Sequence, residues 1–238
     1  NTLFARLGLA PRRVDPVALD EAVLQLVRAN SEGAALALKQ GQPQKARALV
    51  RSALEQLSAV GRPAPQIIAA LVRLLARDRL YEQAVAVMAS GDFVDAELRL
   101  KEFLLQYPDY PGAHVNLAII HAQNENDAAA QASIDAALAL DPGHPAALNQ
   151  QGMLLRRNGK FIEAEAAYLK AVTASPDYAL AHYNLGVLNE LYLQRLDVAL
   201  QHFETYQELV GGDEQVEKWI ADLRRRVAAS QRTANVAE

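Results

Sequence analysis

Three series of residues recur along this chain at a constant step of 34 positions. They are prolines at Pro108, Pro142 and Pro176, small residues at Ala84, Ala118, Gly152 and Gly186, and alanines at Ala96, Ala130 and Ala164. A fixed internal period of this length indicates a repeat architecture, in which each unit packs mainly against its neighbours. The period therefore predicts a chain organised as a stack of units rather than around one central core.

The composition indicates that the repeated unit is helical. Alanine is abundant and aromatic residues make up only 6% of the chain, which favours close-packed helices over sheets. The recurring proline ends a helix, because it has no N–H to donate and a fixed φ angle. The recurring small residues mark the places where paired helices approach most closely. The sequence therefore predicts an all-α protein built from helix hairpins.

One segment, residues 145–178, carries the pattern most completely. Its markers are a small residue at repeat position 8, a turn glycine at 15, alanines at 20 and 27, an aromatic residue at 24 and a proline at 32, namely Gly152, Gly159, Ala164, Ala171, Tyr168 and Pro176. This segment resembles the tetratricopeptide repeat (TPR) family, whose repeat has 34 residues. The resemblance implies a right-handed α-solenoid in which each hairpin covers an apolar face of the next.

The repeat pattern predicts four TPR units in the central and C-terminal part of the chain, at residues 77–110, 111–144, 145–178 and 179–212. The first unit departs furthest from the pattern, because Phe103 stands where an alanine is usual. The second has Glu125 at the turn-glycine position. The fourth carries one extra residue in its turn, and Tyr206 stands where a small residue is expected.

The two ends of the chain are predicted to differ from the repeats. Residues 213–229 read as a C-terminal capping helix with one apolar stripe, formed by Val216, Trp219, Ile220, Leu223 and Val227. Residues 230–238 lack apolar periodicity and are predicted to be a disordered tail. At the other end, residues 1–15 are predicted to be an N-terminal arm and residues 16–76 a degenerate, TPR-like helical region. The pattern leaves open whether residues 66–90 form one helix or two.

The resemblance also implies a binding surface, because the first helix of each TPR unit lines a concave groove. The residues at groove-facing positions of the second to fourth units are Asn116, Ile119, Gln123, Asn149, Gln150, Met153, Arg156, Arg157, Tyr183, Asn184, Val187 and Glu190. Amide side chains donate and accept hydrogen bonds, which suits a peptide backbone, and the arginine fork suits a carboxylate. A structural role inside the stack is the alternative for the amides, and a solvated helix end is the alternative for the arginines.

Several classes of function are disfavoured by the sequence. The net charge of −4 argues against nucleic-acid binding, which requires neutralised phosphates. The absence of cysteine excludes thiolate chemistry and cysteine metal sites. The five histidines lack metal-ligand spacing, and no catalytic or phosphate-binding motif occurs. No apolar run approaches the ~20 residues of a membrane span. We therefore expect no enzymatic activity, no cofactor and no metal.

These observations predict a protein-interaction scaffold or adaptor that binds a partner peptide or helix in its groove. The alternative is a structural subunit that self-associates, or docks, through its outer helices and N-terminal region. Residues 199–226 resemble the C-terminal end of bacterial TPR proteins associated with envelope machinery such as pilus assembly or TonB-type systems. That resemblance implies a periplasmic or lipid-anchored protein, with the anchor outside this chain; a cytoplasmic location is the alternative.

Overall fold

The computed structural model describes residues 43–60 and 65–236, together with single helical positions between 25 and 37. In these ranges ten complete helices follow one another: α1 Pro43–Val60, α2 Pro65–Ala89, α3 Phe93–Gln106, α4 Pro111–Gln123, α5 Asp127–Leu140, α6 Pro145–Arg157, α7 Phe161–Ala174, α8 Ala179–Leu191, α9 Leu196–Val210 and α10 Glu214–Val236. The described ranges contain no strand. The predicted all-α class is confirmed.

The chain divides into two compact units, with the boundary after Asp92. The first contains α1 and α2; the second contains α3 to α10. The boundary falls inside the predicted repeat 77–110. Helix α2 runs unbroken through residues 65–89, which answers the question that the pattern left open. The predicted arm at 1–15 and most of the region from 16 to 42 lie outside the described residues.

In the second unit, consecutive helices form hairpins: α4 packs on α5, α6 on α7 and α8 on α9. The first two turns contain a residue with positive φ at the same repeat position, Glu125 at 57° and Gly159 at 74°. In the third turn that residue is Gln194, at 55°, one repeat position later because of the extra residue. The left-handed conformation is therefore kept even where glycine is absent.

The small residues of the period lie against large side chains of the second helix. A Cβ atom on Gly152 would overlap the ring of Tyr168, and one on Gly186 would lie 2.7 Å from Cδ1 of Phe203. In the preceding hairpin the small residue is Ala118, and it shares a buried cluster with the less bulky side chain of Ile134. Glycine thus occurs where the partner is aromatic, since the ring lies directly on the backbone.

Helix α10 covers the end of the last hairpin. Asp213 caps it, because its Oδ1 accepts hydrogen bonds from the N–H groups of Gln215 at 2.9 Å and Val216 at 3.1 Å. The buried residues Val216, Ile220 and Leu223 pack with Phe203 of α9. Tyr206, unusual for its repeat position, packs against this cluster and donates a hydrogen bond to Asp213 at 3.2 Å.

The prediction that α10 ends at residue 229 and is followed by a disordered tail was wrong. The helix continues to Val236, so residues 230–236 are helical, and residues 237 and 238 lie outside the described part. Residues 228–236 contain neither proline nor glycine, so nothing in this segment breaks the helix. A helix can continue through a segment that has no proline or glycine even where its apolar stripe has ended.

Candidate functional site

Two of the predicted groove amides bond to each other inside the stack. Asn184 Nδ2 donates to Asn149 Oδ1 at 2.9 Å, which links α8 to α6. Asn149 is 1% exposed and Asn184 is 6% exposed, so neither amide faces open solvent. The structural alternative therefore describes these two residues. Asn116, which occupies in α4 the repeat position that Asn184 occupies in α8, is half-buried.

Three further predicted residues, which lie on α8, are in contact with helix α10. The ring centroid of Tyr183 lies 6.1 Å from that of Trp219, and Val187 packs against the same cluster. Glu190 Oε1 accepts a hydrogen bond from Arg226 Nη1 at 2.7 Å. The first helix of the hairpin α8–α9, which is the fourth repeat, is thus partly covered by α10.

Four predicted residues of α6 come together around one cavity of about 540 Å³. The cavity lies between the hairpins α4–α5 and α6–α7, toward the end that carries their turns. Its predicted lining residues are Gln150, Met153, Arg156 and Arg157. The rest of the wall is mostly apolar. It consists of Ala118, Ala122, Ala130, Ile134, Leu154, Gly159, Phe161 and Tyr192. Such a cavity can accept an apolar side chain beside a polar or charged group.

One residue of the wall, Tyr192, was missed by the sequence reasoning. It follows α8 directly and stacks on Phe161, with ring centroids 4.6 Å apart. Its side chain is 45% exposed, so part of the ring is accessible from the cavity. The extra residue in this turn was the signal in the sequence, because it changes the path of the chain after α8.

The two neighbouring arginines of α6 differ in their partners. Arg157 Nη1 donates to the carbonyl of Ala122 at 2.8 Å, and its Nη2 forms an ion pair with Asp127. Arg156 has a buried Nη1 for which the described residues provide no hydrogen-bond partner. Arg157 therefore connects α6 to the preceding hairpin, whereas the charge of Arg156 is not paired.

A buried phenol lies close to Arg156. Burial raises the pKa of the Tyr168 hydroxyl to about 12; the charge of Arg156 acts in the opposite direction, and Tyr192 adds a smaller upward effect. The Tyr168 side chain is fully buried and its hydroxyl lacks a hydrogen-bond partner among the described residues. Tyr168 is therefore a neutral phenol at physiological pH, with a proton available for donation.

The last two predicted residues lie on α4. Gln123 is exposed at the end of the helix. Ile119 is half-buried and packs against a cluster formed by Val115, Ala137 and Ala147. Neither residue lines the cavity.

Three of the five histidines, His144, His182 and His202, have contacts that fit capping or packing. His144 Nδ1 accepts from the N–H of Ala147 at 3.3 Å and so caps α6. His182 and His202 face each other with their Nδ1 atoms 3.2 Å apart. Burial and, to a smaller extent, the charge of the neighbouring His182 together lower the pKa of His202 to about 4. Among the described residues, no group of three or more histidine or acidic side chains is placed to hold a metal ion.

None of the described helices combines sufficient length with sufficient apolar character to cross a bilayer.

Comparison with known families gives a direct match. A tetratricopeptide repeat family model matches residues 81–145 and 149–214, together more than half of the chain. No curated protein matches the chain.

Several solved structures are similar to this chain. PilF of Pseudomonas aeruginosa is 26% identical over 66% of this chain and 72% of its own, with a TM-score of 0.57. TTC0263, a thermophilic TPR protein of Thermus thermophilus, is 17% identical over 83% of this chain and 98% of its own, with a TM-score of 0.54. The O-GlcNAc transferase of Thermobaculum terrenum is 24% identical, with a TM-score of 0.50, over 56% of this chain and only 26% of its own. The last two similarities concern the fold alone.

Proposed function

The chain belongs to the tetratricopeptide repeat family, whose stacked hairpins form protein-interaction scaffolds, and we propose that it captures a partner peptide or helix on the first helices of its repeats. In this proposal the chain has no enzymatic activity of its own. Its role is to hold a partner through shape and charge.

The observation that carries this proposal is the cavity beside α6. Four side chains from the predicted groove positions line it, and the wall combines apolar surface with one unpaired arginine. A mostly apolar cavity with few polar groups has the character of a recognition site. Met153, which is 37% exposed, is an adaptable apolar contact for a side chain of the partner.

The proposal is tested with peptides selected for binding to the full chain from a displayed library of random linear peptides. The best peptide is then titrated by fluorescence anisotropy against wild type, Met153→Lys and a matched variant, Ile162→Lys. Met153 lines the cavity, whereas Ile162 lies on α7 outside the cavity wall and is 60% exposed. We expect Met153→Lys to weaken binding by roughly tenfold or more and Ile162→Lys to leave it unchanged.

The reverse result would place the binding surface on the outer helices. That outcome corresponds to the second candidate, a subunit that self-associates. Exposed apolar side chains on α7 favour it: Ile162 is 60% exposed and Leu169 is 44% exposed. Sedimentation velocity over a range of concentrations tests it, because Ile162→Lys combined with Leu169→Lys should dissociate such an assembly. A monomer at all concentrations argues against it.

We also propose that the chain acts in the bacterial envelope, in the periplasm or anchored to a membrane facing it. Support comes from the resemblance of residues 199–226 to the ends of envelope-associated TPR proteins and from the similarity to a bacterial protein, PilF. Fractionation of native cells, combined with protease treatment of intact and permeabilised spheroplasts, tests this location. Cleavage only after permeabilisation would indicate the cytoplasm.

A further inference from the structure

We propose that Arg156 is the specificity-determining residue of the cavity and binds an acidic side chain, aspartate or glutamate, of the partner. This inference rests on the proposed function and gives the partner a chemical character. The sequence alone offered Arg156 and Arg157 equally as carboxylate ligands. The structure distinguishes between them, since Arg157 is already paired with Asp127.

The pairing of the other arginines makes Arg156 exceptional. Between Phe93 and Arg226 there are seven arginines, and six of them bond to a carboxylate of this chain; they are Arg99, Arg157, Arg195, Arg224, Arg225 and Arg226. In this stretch Arg156 alone has neither an ion pair nor a hydrogen bond through its buried Nη1. Between Phe93 and Arg226 the chain thus provides an acid for every arginine except Arg156, one of the two arginines of the cavity wall.

An unpaired guanidinium in this position is unfavourable in the free protein. Its buried N–H group has lost water and gained no acceptor, and that desolvation is not compensated. A carboxylate entering the cavity supplies both the acceptor and the opposite charge. Arginine binds a carboxylate through two parallel N–H···O bonds, which are stronger than bonds between neutral groups.

The surroundings of Arg156 suit an acceptor better than a donor. The Tyr168 hydroxyl lacks a hydrogen-bond partner within the described structure and lies near enough for the Arg156 charge to affect its pKa. Tyr192 brings a phenol to the cavity wall itself. A carboxylate only accepts hydrogen bonds, so it matches a guanidinium with phenol donors nearby. A lysine or arginine of a partner would meet like charge.

The shape of the wall favours a side-chain carboxylate over the carboxylate at a chain terminus. The wall around Arg156 contains Ala118, Ala122 and Met153, which match the methylene groups of a glutamate side chain. A side chain also brings its charge to a buried atom while the partner backbone stays outside. One acid is sufficient, because Arg156 is the one arginine of the cavity wall whose charge is not paired.

The test is a selection by the full chain from displayed random peptides whose C-termini are fused to the carrier, so that every available peptide carboxylate is a side chain. Wild type, Arg156→Glu and a matched control, Arg99→Gln, are compared; Arg99 lies on α3 outside the cavity wall and is paired with Asp95. Wild type and Arg99→Gln should enrich aspartate or glutamate next to apolar residues, and Arg156→Glu should enrich lysine or arginine instead. Melting curves of each variant, with Arg156→Gln as a milder substitution, verify that the proteins are folded.

A selected peptide is then synthesised with glutamine in place of its glutamate. We expect that change, or Arg156→Gln in the protein, to weaken binding roughly tenfold, with little further loss when both are combined. Enriched peptides without an acidic preference, or a preference that survives charge reversal, would overturn this inference while leaving the proposed function intact. Loss of binding only on amidation of a free C-terminus would also overturn it. If wild type enriches no peptide, the proposed function fails and this inference fails with it.

Discussion

Position 12 of the first helix is Arg156 in the third hairpin, α6–α7, and Glu190 in the fourth, α8–α9. Glu190 is bonded to Arg226 of α10 at 2.7 Å, whereas Arg156 has a buried N–H without an acceptor. Position 9 differs in the same way, since Val187 packs against the cluster with α10 and Met153 is partly exposed in the cavity wall. The same repeat pattern thus gives a covered surface in the hairpin α8–α9 and an accessible, charged cavity beside the hairpin α6–α7.

This comparison shows that the repeat positions fix where a side chain lies but not whether it is available. Availability depends on what the following element provides. Helix α10 provides Arg226 and Trp219 to the fourth hairpin, whereas the turn after α8 provides Tyr192 to the third. The predictions below test the features that the two hairpins share and then those that distinguish them.

The largest effect is expected at the shared glycine of position 8. Gly152→Ala would force the Tyr168 ring away from the backbone and should cost about 3 kcal/mol of unfolding free energy. Adding Tyr168→Ile reproduces the alanine–isoleucine pair of the second hairpin and should recover about 1 kcal/mol or more through coupling. Urea denaturation of both variants measures this. Gly143→Ala is the control, because its Cβ would meet the nearest atom at an ordinary 3.7 Å.

A smaller effect is expected when the cover of the fourth hairpin is weakened. Trp219→Ala removes ring contacts with Tyr183 and Phe203, whose centroids lie 6.1 Å and 5.7 Å away. The Trp219 side chain is only partly buried, so we expect a loss of about 2 kcal/mol. Hydrogen exchange should then increase in α10 and α9 more than in α6. Equal exchange in all three helices would contradict the separate roles of the two hairpins.

The acid sensitivity of the fourth hairpin gives a prediction of similar or smaller size. The pKa of His202 in the folded protein, about 4, lies below the ordinary histidine value of about 6.5, so the unfolded chain binds this proton more readily. Stability should therefore fall as the pH is lowered from about 6.5 toward 4, with a loss on the order of 1–2 kcal/mol from this residue once solvent screening of the partly exposed ring is allowed for. His202→Asn removes the titrating group and keeps a donor toward His182. Chemical denaturation at several pH values should show a flatter dependence in this variant.

The smallest effects are expected at the paired and unpaired arginines of α6. Arg157→Met removes bonds to Ala122 and Asp127 and should cost about 0.5–1 kcal/mol, since the pair is partly exposed. Arg156→Met removes an unpaired charge and should leave the stability unchanged or raise it slightly. Thermal melts of the two variants distinguish these roles. A larger loss from Arg156→Met would mean that this residue stabilises the fold.

Much of the architecture could be predicted from the sequence, because the close approach of helices restricts side-chain size at fixed intervals. The third repeat gives an example. Its small residue at position 8, Gly152, lies against its aromatic residue at position 24, Tyr168. The end of α10 was predicted too early, because the loss of an apolar stripe does not by itself stop a helix in a segment without proline or glycine.

The site was less predictable for a physical reason. Asn149, Asn184 and Arg156 all occupy groove-facing positions by pattern, but hydrogen bonding separates them. The two amides bond to each other, and the arginine has no such bond through its Nη1. Pairing between repeats depends on side-chain conformations at a distance of one repeat, which periodicity does not encode. Tyr192 reaches the cavity wall from a turn of irregular length, where the repeat register no longer applies.

The most direct measurement of the central claim is the response of the arginine side chains to a blocked glutamate. Nε–H resonances of the ¹⁵N-labelled full chain would be followed during titration with N-acetyl-glutamate N-methylamide and, in parallel, its glutamine analogue. We predict a saturable shift of the Arg156 resonance with the glutamate compound alone, and little change at Arg157 and Arg195, which are already paired. Absence of an Arg156 shift, or equal shifts at all three arginines, would contradict the account.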